Sequence, residues 1–211
     1  MLEHIHWLGH DVFRIDGPPT IYLDPYMLGQ GLPKADLILI THSHSDHCSP
    51  EDVAKVQKAD TAIVTVAAAK AKLKGDIHVV RPGDRVKVKG IEVEVVPAYN
   101  VNKFRSPGVP FHPQGPDYVG FVLTVGGQRL YHAGDTDPIP EMADLGAIDV
   151  ALLPISGKYT MTVDEAVEAA RTINPKVAIP MHIGRGIGAL GDAQAFKAKA
   201  SVEVVILELE A

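Results

Sequence analysis

Four residues that bind metal ions well, His42, His44, Asp46 and His47, fall within six positions, directly after the largely apolar run 35–40. An extended segment sends residues two apart to the same side, so His42 and His44 can grip one ion. Asp46 and His47 lie where the chain turns towards a helix starting near Pro50, and their divergence suits a second ion beside the first. Neutral imidazole and carboxylate suit zinc, iron or manganese. A solvated polar loop accounts for one histidine, but not for three and an aspartate at this spacing.

The 211 residues suit one domain, 1–211, or one domain of two similar halves. Short β-branched runs predict strands over 3–8, 12–15, 20–23, 37–40, 62–66, 78–80, 85–88, 91–96, 119–125, 128–131, 150–153, 177–179 and 203–208. Lys89-Gly90 between two alternating runs predicts a hairpin. Ser49-Pro50-Glu51-Asp52 is a helix start, Thr162-Val163-Asp164-Glu165 is a capping box, and 191–200 is a third, weaker helical stretch. Strands early and strand–helix alternation late predict an α/β layered fold with mixed sheets. Residues 99–117, rich in Pro, Gly and polar groups, have neither period. A loop that long in a compact chain is usually functional or disordered.

His42-x-His44-x-Asp46-His47 after a strand resembles the signature of the metallo-β-lactamase superfamily. Later markers follow in order: Asp135 in His132-Ala133-Gly134-Asp135-Thr136, then His182 in Ile179-Pro180-Met181-His182. The resemblance implies an αββα sandwich of two mixed β-sheets with helices on the outer faces. It also implies one metal site drawing on His42, His44 and Asp135, and a second drawing on Asp46, His47, Asp135 and His182. Trp7-Leu8-Gly9-His10 and Tyr22-Leu23-Asp24-Pro25 are similar to the branch containing ascorbate-6-phosphate lactonase, where the aspartate matching Asp24 lies beneath the site and supports a ligand. One departure stands out: Pro97-Ala98-Tyr99-Asn100 has asparagine where many members have a ligating histidine, and His112 in the long loop is the substitute candidate.

The cofactors expected are two zinc ions, with manganese or iron as alternatives. In such a site a metal-bound water has its pKa lowered from about 15.7 towards ~7, giving hydroxide at neutral pH. Asp46 is the candidate catalytic residue, placed to accept a hydrogen bond from that hydroxide and aim it. The expected function is hydrolysis of an ester, lactone or phosphodiester bond in a small, anionic metabolite. Asn100, Lys103 and Tyr159 are candidates for substrate contact, with Arg105 beside Lys103 as a second anion-binding cation. His10 is expected to line the cleft and support it, His132 to sit in the core, and Cys48 to be a small buried residue.

Three alternatives bound this reading. A net charge of −6 and the lack of a basic helix disfavour a nuclease acting on RNA. A di-iron redox protein would exchange ligands towards Glu or Asp. A degenerate binding protein would have lost ligands that are intact here. With one cysteine no internal disulfide can form. No stretch approaches the ~18 apolar residues a membrane helix needs, and the N-terminus lacks a signal-peptide pattern, so a cytoplasmic location is expected and no membrane partner. A homo-oligomer is left open.

Overall fold

The computed structural model describes residues 1–210. Strands β1 (Ile5–Gly9), β2 (Val12–Ile15), β3 (Ile21–Leu23), β4 (Leu37–Ile40), β5 (Ala62–Thr65) and β6 (Asp76–Val79) form, in that order, a six-stranded sheet. Strands β7 (Arg85–Val88) and β8 (Ile91–Pro97) open the second half. They are followed by an isolated ribbon of β9 (Phe104–Ser106) and β10 (Val109–Pro110). Then come β11 (Val119–Val125), β12 (Gln128–His132), β13 (Val150–Pro154), β14 (Val177–Met181) and β15 (Glu203–Val204). The second sheet runs β15-β14-β13-β12-β11-β8-β7.

Both sheets are mixed. The first pairs antiparallel from β1 to β3 and parallel from β3 to β6. The second is antiparallel from β7 to β12 and parallel from β12 to β15. Each half therefore begins with hairpins and ends with crossovers, as expected from strands early and helices late. The central strands β4, β13 and β14 are buried at every residue, which is why they read as continuous apolar runs rather than alternating ones. One continuous apolar core fills the space between and behind the sheets.

Helices α1 (Pro50–Val56), α2 (Ala67–Lys70), α3 (Val163–Ile173) and α4 (Leu190–Lys199) cover the sheets. Both ends predicted from capping are as expected: the Ser49 hydroxyl accepts from Asp52 N, and Thr162 and Glu165 form a reciprocal capping box. α3 packs on β13, and α4 packs on α3 and β15. Lys89 and Gly90, with φ of 52° and 83°, make the left-handed two-residue turn predicted between β7 and β8. No helix among the described residues is long and apolar enough to cross a membrane.

Three expectations need correcting. The stretch 99–117 is not wholly irregular, since β9 and β10 pair within it. The strand predicted over 203–208 stops at Val204, and the chain re-engages at Leu209 and Glu210, where Leu209 bridges to Trp7 and Glu210 N donates to Trp7 O at 2.9 Å. Residues 2–4 form a 3₁₀ turn rather than the start of β1: Glu3 and His4 face solvent, and His4 N donates back to Met1 O at 2.9 Å.

The fold brings one edge of the two sheets together. Thr41 O, just past β4, accepts from Val119 N at the start of β11 at 3.2 Å. Gly134 sits in the same contact with φ of 63°, and a Cβ there would lie 2.7 Å from Val119 O. Only glycine fits, and the left-handed turn it permits delivers Asp135 out of β12 towards His42 and His47.

Candidate metal centre

The chemistry-bearing residues gather beyond the C-terminal ends of β4, β8, β12 and β14, where α/β sheets usually build their sites. The floor is the buried carboxylate of Asp24. Its Oδ1 accepts from Thr41 N at 2.7 Å, and its Oδ2 accepts from the Thr41 hydroxyl at 2.6 Å and from His47 Nδ1 at 2.8 Å. With its own proton on Asp24, the Thr41 hydroxyl can only accept from His42 Nδ1, 3.0 Å away. Both rings are thereby fixed in one tautomer, with the Nε2 lone pair facing the cleft.

On one side His42, His44 and His112 turn nitrogen atoms towards a common point. His42 Nε2 and His44 Nδ1 are 3.0 Å apart. His112 Nε2 lies 3.0 Å from Asp135 Oδ2. The long loop thus folds back and brings His112 to the cluster. Asn100 does this, and here the structure departs from the expectation of substrate contact or ligation. Its Oδ1 accepts from both His112 N (2.8 Å) and His112 Nδ1 (2.9 Å), while its Nδ2 donates to Tyr159 O at 3.0 Å. The amide oxygen is committed to the histidine and the side chain is buried. Asn100→Ala should therefore leave the fold intact but weaken ion binding at this group about 10- to 100-fold, the usual cost of losing a residue that orients a ligand. Titration of the metal-free variant with zinc checks it.

On the other side Asp135 Oδ1 stands 3.4 Å from His47 Nε2, and Asp135 Oδ2 stands 3.3 Å from His182 Nε2. Asp46 Oδ2 is 3.9 Å from His47 Nε2 and 3.3 Å from His10 Nε2. Two further buried groups close the space: His10, which was expected at the cleft, and Asp11, which sequence reasoning missed. His10, Asp11, His47 and His182 offer donor atoms all within 4.8 Å of one another. The signal for Asp11 was only its place beside His10 between two predicted strands.

These residues fit metal ions. Donors about 2.0–2.2 Å from one ion stand roughly 3–3.6 Å apart, close to the separations seen here. His47 Nε2, Asp135 Oδ1, His182 Nδ1 and both oxygens of Asp11 are buried without any hydrogen-bond partner among the described residues. Such atoms are rare in folded chains unless something else satisfies them. The electrostatics agree. Burial alone would raise the Asp135 carboxyl, yet His182, His47 and His112 around it hold it well below the usual carboxylate range. Burial would lower His47, but Asp135 and Asp24 raise it well above an ordinary histidine, which makes Nε2 a place that favours a cation, a proton or a metal ion. Burial and the neighbouring His112 pull His44 down to about 4, so it is a neutral donor at physiological pH.

Phe111, Tyr159 and Ile187 wall a cleft of about 320 Å³ over this centre. Tyr159 therefore lines the cleft, its ring edge-on to Phe111 at 4.9 Å. Lys103 is placed elsewhere. Its amine sits 3.2 Å from Asp137 Oδ1 and 2.6 Å from Glu165 Oε2, spent on two ion pairs. Arg105 lies over Phe111, donating to Phe111 O at 3.2 Å. His132 is buried, donating from Nε2 to Asp11 O at 3.0 Å and accepting from Gly134 N on Nδ1, a structural role. Cys48 is buried, and that burial pushes its thiol up to about 11.

Residues 4–182 match the Beta-lactamase superfamily domain family. A UPF0173 metal-dependent hydrolase of Thermoplasma acidophilum is 36% identical, over 98% of this chain and 96% of that protein. A crystal structure from Parabacteroides distasonis, assigned as a metal-dependent hydrolase, superposes with a TM-score of 0.85 at 38% identity, covering 98% of this chain and 93% of that one. The metallo hydrolase Igni18 of Ignicoccus hospitalis superposes with a TM-score of 0.76 at 26% identity, covering 98% and 95%.

Proposed function

The chain belongs to the metallo-β-lactamase superfamily and is a metal-dependent hydrolase; on that premise we propose that it uses two divalent ions, zinc foremost, to cleave an ester, lactone or phosphodiester bond in a small, anionic metabolite. The observation that supports this most is that Asp135, beneath a cleft of about 320 Å³, lies 3.0 Å from His112, 3.4 Å from His47 and 3.3 Å from His182. That volume suits a metabolite rather than a polymer.

His42, His44 and His112 would hold one ion; His47, His182 and Asp46 would hold the other, with Asp135 between them. When bound, such ions lower the pKa of water from about 15.7 towards ~7 and polarise the oxygen of the scissile group. Asp46 is the residue that aims the attacking water. Burial would raise its carboxyl, but His10 and His47 keep it well below the ordinary range. A carboxylate held that low orients a water by accepting a hydrogen bond and is too weak a base to take its proton. Asp24 keeps a proton on His47 Nδ1, and Asn100 does the same for His112 Nδ1. Neither ring can then turn its protonated nitrogen to the centre. Phe111, Tyr159 and Ile187 give the cleft an apolar wall beside the centre. No Lys or Arg among the described residues lines it, so recognition of an anion falls to the centre itself, where four positive charges would meet Asp46 and Asp135.

The zinc-loaded protein should hydrolyse at least one member of a panel of a 4-nitrophenyl ester, a δ-lactone and bis(4-nitrophenyl) phosphate. Asp46→Ala should lower kcat/KM for that compound about 10²–10³-fold without changing the melting temperature by more than a few degrees. Turnover by Asp46→Ala equal to wild type would remove Asp46 from its role. No metal-dependent turnover of any panel member would count against the substrate class.

A further inference from the structure

Of the buried carboxylates, Asp24 and Asp52 are fully satisfied, whereas Asp135 and Asp137 each leave one oxygen without a hydrogen-bond partner. Asp24 accepts three hydrogen bonds, and Asp52 accepts from Met27 N, Leu28 N and Lys55. Asp11 differs. It is fully buried, and neither oxygen has a hydrogen-bond partner among the described residues. Its Oδ2 lies 3.6 Å from His47 Nε2, 3.9 Å from His182 Nε2 and 4.0 Å from His10 Nε2. An isolated carboxylate in such a place is costly enough that a native fold pairs it with a cation or neutralises it.

The carboxylate is aimed there by construction. His10 and Asp11 are the two turn residues of the β1–β2 hairpin, with His10 left-handed at φ of 56°. The turn is held from three sides: Trp7 Nε1 and His182 N both donate to His10 O, at 2.9 and 3.2 Å, and His132 Nε2 donates to Asp11 O. Arg185 Nη2 ties down the preceding strand through Leu8 O at 2.6 Å. With its backbone pinned, the side chain has little freedom to turn away.

We propose that Asp11 is a direct carboxylate ligand of the ion held by His47 and His182, an assignment that rests on the two-ion reading above. Three carboxylates, Asp11, Asp46 and Asp135, then offset three of the four positive charges, and the two ion positions become unlike. One would be held by the imidazoles of His42, His44 and His112 together with Asp135. The other is rich in carboxylate oxygen, which favours a harder ion such as manganese relative to its neighbour.

The test titrates the metal-free full-length chain and its Asp11→Asn variant separately with MnCl₂ and ZnCl₂, and records thermal melts with and without each ion. Wild type should take up two ions. Asp11→Asn should retain the site at His42 and lose affinity at the other about tenfold or more for manganese, with a smaller loss for zinc. Metal-free Asp11→Asn should melt no lower than metal-free wild type, because the substitution removes a buried carboxyl that no hydrogen bond satisfies; saturating manganese should stabilise it less. Wild-type affinity for both ions in the variant would overturn the proposal. So would a metal-free variant melting several degrees below wild type, which would make Asp11 a structural residue. Fewer than two ions in wild type is a separate failure, which would sink the two-ion reading and this assignment with it.

Discussion

Asp135→Asn is expected to abolish hydrolysis and to reduce metal content from two ions per chain to at most one. The Asp135 oxygens face both donor groups: they lie 3.4 Å from His47 Nε2, 3.3 Å from His182 Nε2 and 3.0 Å from His112 Nε2. The substitution preserves shape and the turn made by Gly134, so the fold should survive. What is lost is one negative charge and one of the two donor oxygens at the point where two divalent ions would repel each other most. An amide nitrogen cannot take that place, since it has no lone pair to offer. Activity should fall by at least ~10³-fold, beyond the usual loss of a single transition-state contact, because the ions and the groups they orient fail together. Steady-state assay alongside elemental analysis checks it; a variant with two ions and near wild-type activity would refute the bridging role.

The second large effect is expected at Asp24, beneath the ligands. Asp24→Ala leaves Thr41 N, the Thr41 hydroxyl and His47 Nδ1 buried without an acceptor. Breaking a buried network of that kind costs about 3–5 kcal/mol, which for a chain this size lowers the melting temperature by about 10 °C. Asp24→Asn separates stability from ligand control. Its oxygen can replace one carboxylate oxygen, recovering part of the lost stability. Its NH₂ then meets the remaining partners, and His47 must accept on Nδ1 and carry its proton on Nε2, the atom facing the centre. Asn should therefore melt between Ala and wild type while binding the ion near His47 as poorly as Ala does. Thermal melts with and without zinc decide this, and an Asn variant with wild-type affinity would refute the tautomer argument.

What could be read from the chain before its structure was known follows from locality. His42, His44, Asp46 and His47 share six residues after a buried strand, so their convergence needs no knowledge of tertiary contacts. Asp135 and His182 each follow an apolar strand, and the family resemblance points to them. Asn100 at a position where many members have histidine points to His112, and the structure links the two. Asp11 could not be found this way. Its position depends on a hairpin turn meeting the end of β14, which only the packing of the first sheet against the second creates. Lys103 failed for the opposite reason. A lysine in a polar loop looks free to bind an anion, but the β9–β10 ribbon folds the loop so that the amine reaches Asp137 and the capping Glu165 of α3. The ribbon itself was hidden by exposed strands lacking the alternation that a half-buried sheet imposes.

The proposed chemistry requires two ions held side by side around Asp135. Metal content per chain, by elemental analysis of wild-type protein purified without chelator and re-equilibrated with zinc, tests that claim most directly. Two ions per chain, both released together as the protein is acidified and its histidines protonate, is the predicted result. One ion per chain, or none, would contradict it.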